Sequence, residues 1–187
     1  MQQTIQPEFS PPHTASPSDL TPAAPEEEVN QYLWKKRDEL LYDVRFSICY
    51  HRSRERFLDW LDRATKAFMM IGGSAAFATM PHSNLIGLGI AILSALSLVF
   101  DYAVRARLHA DLARRFLDIE SDMESIGERD FDEQHIKLWR SNFVRVEADE
   151  PPQLSRLSKI CEANLKKAMG VQYESPSWLD RMMAHFN

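Results

Sequence analysis

The sequence predicts an all-α fold, on three observations. Residues 67–100 form a run of 34 without Asp, Glu, Lys or Arg, no Pro or Gly interrupts residues 28–71, and the chain behind the run repeats apolar residues at three- and four-residue steps.

The uncharged run is divided by Pro81-His82-Ser83-Asn84, a polar, helix-breaking quartet. Two segments result, over about residues 65–80 and 85–102. At 1.5 Å per residue each reaches roughly 24 to 27 Å, slightly under a hydrocarbon core of about 30 Å. Either Lys66 snorkels and the bilayer thins locally, or the segments are buried in protein as the core hairpin of a soluble helical chain. The second segment carries ten Leu, Ile, Val or Phe residues, each favouring insertion by up to about 0.3–0.6 kcal/mol. The first has only Phe68, Ile71 and Phe77 of that class, so the two are expected to enter lipid together. Small residues at four-residue spacing allow close backbone approach: Gly72 and Ala76, with Gly73 beside them, on one helix, and Gly87, Ala91 and Ala95 on the other. Arg52, Arg54, Arg56, Arg63 and Lys66 precede the run, and Arg105, Arg107, Arg114 and Arg115 follow it. The positive-inside rule therefore places both termini in the cytoplasm.

Ahead of the run, Leu33, Leu40, Leu41, Val44, Ile48, Phe57, Leu58 and Leu61 predict one long helix from about Glu28 into the first segment, with Glu26, Glu27 and Glu28 at its positive dipole end. Behind it, Val104, Leu108, Leu112, Phe116, Ile119 and Met123 carry the second helix on to Gly127. The two extensions are expected to pair as an antiparallel coiled-coil stalk. Reflecting the register between residues 82 and 83 sets Asp59 near Arg105 or Arg107, Arg56 opposite His109, and His51 opposite Arg114. Without a third ligand nearby, His51 and His109 read as solvated stalk residues. Asp101 sits at the rim, where it pairs with Arg105 or lines a polar path.

A helical cap is expected over 128–170. Asp130 with Glu133 three residues on reads as an N-cap, opening a helix to about residue 148 with Phe131, Ile136, Trp139, Phe143 and Val146 on its apolar face. Pro151 and Pro152 stop it and are placed to open another, with Leu154, Leu157, Ile160 and Leu165 inward and Lys166, Lys167 and Gly170 at its end. Asp149 and Glu150 are adjacent on the turn and do not converge as an acid/base site requires. Residues 1–27 read as a Pro-rich disordered tail without a signal peptide. Residues 171–187 read as an amphipathic segment lying on a membrane or docked on the stalk.

A net charge of −5 argues against a nucleic-acid binder. Cys49 and Cys161 read as isolated, reduced packing residues. There is no glycine-rich phosphate loop, His-Glu-x-x-His, nucleophile elbow or paired-cysteine motif, so neither enzyme activity nor a cofactor or metal is expected.

The pattern over residues 32–170 resembles the SLATT families, the SMODS- and SLOG-associating two-transmembrane effector domains of bacteria. Its carriers are the Arg/His-bearing helix of residues 45–56, the short uncharged hairpin, Phe100-Asp101-Tyr102, residues 106–116, and Glu147-Ala148-Asp149-Glu150-Pro151-Pro152 followed by Cys161, Asn164 and Leu165. The resemblance implies a multi-pass inner-membrane effector of a prokaryotic conflict system, triggered by a nucleotide-generating or nucleotide-sensing partner. One hairpin cannot enclose water, so perforation implies a homo-oligomer with Ser74, Thr79, Ser94 and Ser97 facing a lumen. The alternative is a non-conducting membrane anchor or immunity-type protein whose cap binds a cytoplasmic partner.

Overall fold

The computed structural model describes residues 23–76, 83–127 and 130–186, and among them every regular element is helical. In chain order these are α1 (Ala23–Ala76), α2 (Ser83–Phe100), α3 (Tyr102–Ser125), α4 (Glu133–Glu147), α5 (Ser155–Ala168) and α6 (Trp178–Met182).

The unpunctuated stretch of sequence becomes α1, a single helix of 54 residues. It starts five residues earlier than expected, with Pro25 in its first turn, where a missing N–H leaves no hydrogen bond unmade. The expected tail shrinks accordingly, and residues 1–22 lie outside the described part. The chain reverses between Ala76 and Ser83, so Ser83 and Asn84 belong to α2 instead of the turn. Phe77, Thr79, Met80 and Pro81 lie outside the described residues.

The expected continuous second helix is broken at Asp101. Its backbone is left-handed (φ 41°, ψ 56°), a conformation Asp tolerates better than most non-glycine residues. The hydrogen-bond ladder still touches both sides: Asp101 N–H donates to the Ser97 carbonyl at 3.2 Å, and Arg105 N–H donates to that of Asp101 at 3.1 Å. The bend lies where uncharged α2 gives way to charged α3.

α1 packs antiparallel to α3 and α2. Arg45 on α1 meets Glu120 at 2.6 Å and Glu124 at 2.8 Å, while nearer the reversal Ser94 donates to Met69 Sδ at 3.1 Å. The inward stripe of α3 is Ala106, His109, Leu112, Ala113, Phe116, Ile119 and Met123. Val104 and Leu108, expected on that stripe, point outward instead.

Two apolar clusters flank α1. Leu40 and Val44 meet Leu112, Phe116, Ile119 and Met123 of α3 and Trp139, Phe143 and Val146 of α4, as the periodicity of α4 requires. Tyr50 meets Leu157 and Cys161 of α5 and Ala184 of the C-terminal segment. The cap of α4 is Asp132 and not Asp130: its carboxylate accepts from His135 N–H at 3.0 Å, and His135 takes the third position expected of a Glu. Pro151 and Pro152 do not open α5, which begins at Ser155 after an extended link. Gly170 does close it: at φ 69° it lets Val171 N–H reach the Lys166 carbonyl, and its own N–H reach that of Lys167.

The C-terminal segment docks on α1. The His185 ring stacks on Phe57 (centroids 4.1 Å apart, 2° between planes), and Arg54 donates to the His185 carbonyl at 2.9 Å. At the other end, the helical stretch beginning at Gly87 is the one among the described residues long and apolar enough to cross a membrane. None of its most apolar 18-residue window is buried within the chain.

Candidate functional site

The seam between the two clusters is polar and sealed. His51 on α1 and His109 on α3 face each other with their Nδ1 atoms 2.9 Å apart, and His51 Nε2 lies 3.0 Å from Glu150 Oε1 on the α4–α5 link. The side chains of His51 and Glu150 are 1% and 6% exposed. These are not the solvated stalk histidines that the sequence suggested, and Glu150 is the third group that sequence spacing did not reveal. Arg114 is exposed while buried His51 meets His109, and Asp59 pairs within α1 with Arg63 at 2.8 Å.

Hydrogen-bond accounting orients the chain of groups. Glu150 Oε2 accepts from Gln153 at 3.1 Å; with Glu150 as the carboxylate, Oε1 is an acceptor too, and His51 Nε2–H donates to it. In that tautomer His51 Nδ1 is the acceptor and His109 Nδ1–H the donor of the bond between the rings. Burial, with the neighbouring His51 and Arg54 adding to it, pushes His109 down to about 4. Phe116 stacks on the His51 ring at 5.8 Å and 9°, and Tyr50 meets it edge-on at 5.3 Å.

The α4–α5 link is latched at two further points. Asp149 pairs with Arg115 of α3 at 2.7 Å, and Leu154 N–H donates to Tyr50 Oη at 2.9 Å. Asp149 and Glu150 thus diverge to different helices, as adjacent residues on a turn should. Tyr50→Phe strands the Leu154 donor in a covered position. It should cost about 1–2 kcal/mol in urea unfolding of the full-length protein in detergent, with α5 amides exchanging first.

Chemically this site holds protons and shape. Both nitrogens of His51 are engaged by protein, and no group of His, Cys, Asp and Glu among the described residues is arranged to hold a metal ion. Cavities of about 390 Å³, between α5 and residues 173–180, and about 270 Å³, beside Lys36, Leu40 and Arg140, touch none of the three residues.

The other residues singled out from sequence are distributed differently. Gly72 is a real close approach, since a Cβ there would meet Ile90 Cγ1 at 2.9 Å. Gly87 has open space around it, and Ala91 and Ala95 are exposed, so the small face of α2 turns away from α1 instead of packing on it. Ser94 turns toward α1 through Met69, and Ser97 is half-buried. The surroundings of Gly73, Ser74 and Ala76 lie outside the described side chains, and Thr79 outside the described residues. Asp101 makes no side-chain cap, and no side-chain ion pair joins it to Arg105 among the described residues.

The chain matches no family model, no curated protein and no solved structure. Fold and site define its class on their own terms: an all-helical protein with an uncovered apolar end and a charged end latched around a buried His–His–Glu chain.

Proposed function

We propose that the chain is an oligomer-forming inner-membrane effector of the SLATT kind, with a two-helix membrane hairpin, an antiparallel coiled-coil stalk and a helical cytoplasmic cap. Its proposed activity is regulated permeabilisation of that membrane, triggered by a nucleotide-generating or nucleotide-sensing partner. The observation that carries this reading is uncovered apolar surface. Leu85, Leu88, Ile92 and Val99 on α2, with Phe68, Met70 and Ile71 on α1, are all more than half exposed. The core helix of a soluble protein is covered by its own chain, whereas a lipid-facing helix is not.

The arrangement of the polar parts favours termini on one side. Residues 40–58 of α1 pack on α3, α4 and α5, so both charged flanks gather at the same end of the apolar pair. The outward face of Gly87, Ala91 and Ala95 is free to receive a second copy, which a water-filled path requires.

The test is release of an entrapped dye from vesicles of bacterial lipid carrying the full-length protein at high protein-to-lipid ratio, where crowding stands in for the trigger. Leakage is expected, and Gly87→Leu or Ala91→Leu should reduce it severalfold while the protein stays carbonate-resistant in the membrane. Sealed vesicles with fully inserted, cross-linkable protein would favour the anchor reading. Protein recovered folded in the supernatant of a detergent-free lysate would remove the membrane from the account altogether.

A further inference from the structure

Cys49 and Cys161 are 112 residues apart in sequence, and nothing in their spacing suggests a relation. The fold places them together: Cys161 is fully buried on α5 beside Tyr50, Leu157 and Ala184, and half-buried Cys49 on α1 packs against the same cluster. Both side chains lie against this one cluster, and each perturbs the other's ionisation. Ser53, whose hydroxyl donates to the Cys49 carbonyl at 2.8 Å, and Arg56 flank Cys49 one and two turns along α1.

We infer that Cys49 and Cys161 are a peroxide-oxidisable thiol pair whose disulfide locks α5 onto α1, independently of whether the apolar end lies in lipid. The two sulfurs are unequal in the way such chemistry needs. Cys49 reaches solvent and stands near a cation, while Cys161 is shielded from any oxidant and can act only on its neighbour. The contact with Cys161, helped by Ser53 and Arg56 and opposed by burial, lowers Cys49 to about 7, and the same contact with burial pushes Cys161 up.

The step balances without a metal or cofactor. The Cys49 thiolate attacks a hydroperoxide oxygen and the O–O bond breaks. The departing alkoxide or hydroxide takes up the proton Cys49 released, leaving a sulfenic acid on Cys49. Cys161 sulfur then attacks Cys49 sulfur, the S–O bond breaks, and water leaves with the Cys161 proton. Two thiols have lost two electrons to one peroxide, and the link spans α1 and α5 beside the Tyr50–Leu154 and His51–Glu150 latches. In a reducing compartment such a bond is transient and reports oxidant.

The experiment is peroxide titration of the full-length protein in detergent, followed by non-reducing peptide mapping. The expected product is a 49–161 linked peptide lighter by two hydrogens and cleaved by dithiothreitol, with a raised melting temperature for the oxidised protein. Cys161→Ser, and Cys161→Ala should that variant fold better, should stop at a dimedone-trappable sulfenic acid on Cys49. In the single variants Cys49 should oxidise at least about tenfold faster than Cys161. A dimedone adduct on wild-type Cys49 with no 49–161 linkage, or equal rates for the two cysteines, would overturn the inference.

Discussion

Phe116→Ala is expected to destabilise the helical assembly by about 3–5 kcal/mol, the range for emptying a large aromatic site in a packed core. Phe116 is fully buried and stands between three elements: it stacks on His51 of α1, its ring lies 5.4 Å from that of Phe143 of α4, and its own helix is α3. Truncation removes apolar contact and also uncovers one face of a buried imidazole, so the cavity has a polar wall that draws water toward the His51–His109 bond. Urea unfolding in detergent provides the measurement, with Leu138→Ala on the exposed side of α4 as a control within about 0.5 kcal/mol. A loss below about 1 kcal/mol at Phe116 would mean that α1, α3 and α4 do not share this core.

Mild acid should loosen the same region. His109 titrates near 4 when folded against about 6.5 when unfolded, with burial as the main cause and His51 and Arg54 adding to it, so between these values the unfolded chain binds more protons. The stabilisation is therefore complete above about pH 6.5 and is lost as pH falls toward 4, by at most about 3 kcal/mol. His185, lowered to about 4 by burial and by Arg54, acts in the same direction at the C-terminal dock. Melting curves between pH 7.5 and 4.5 should fall across this window. His109→Gln, which can still donate to His51, should flatten the fall. An unchanged slope in that variant would assign the acid sensitivity elsewhere.

Much of the helical framework was readable in the sequence because it rests on local patterns. The absence of Pro and Gly made α1, periodic Trp139, Phe143 and Val146 set the buried face of α4, and Gly170 ended α5. The buried chain of His51, His109 and Glu150 was not readable, for a positional reason. Reflection between residues 82 and 83 pairs His51 with residue 114, whereas α1 ends at Ala76 and α2 starts at Ser83, so the axis falls near residue 80 and His109 arrives opposite His51. A shift of under three residues in the turn is doubled at the partner, enough to exchange an arginine for a histidine. Glu150 and Cys161 come from elements whose docking no periodicity specifies. A clue existed in the turn from Glu147 to Pro152, acidic residues locked ahead of prolines, but its targets are tertiary.

The bend at Asp101 makes the two arms of the long antiparallel pair mechanically unequal. α1 continues without interruption from the acidic latches to Gly72, so a twist or push applied at the charged end travels along it as along a rigid shaft. The opposite arm is instead two helices, α2 and α3, meeting at a left-handed residue, so it is interrupted where α1 is not. An axial load applied at the charged end therefore meets a joint in one arm and none in the other.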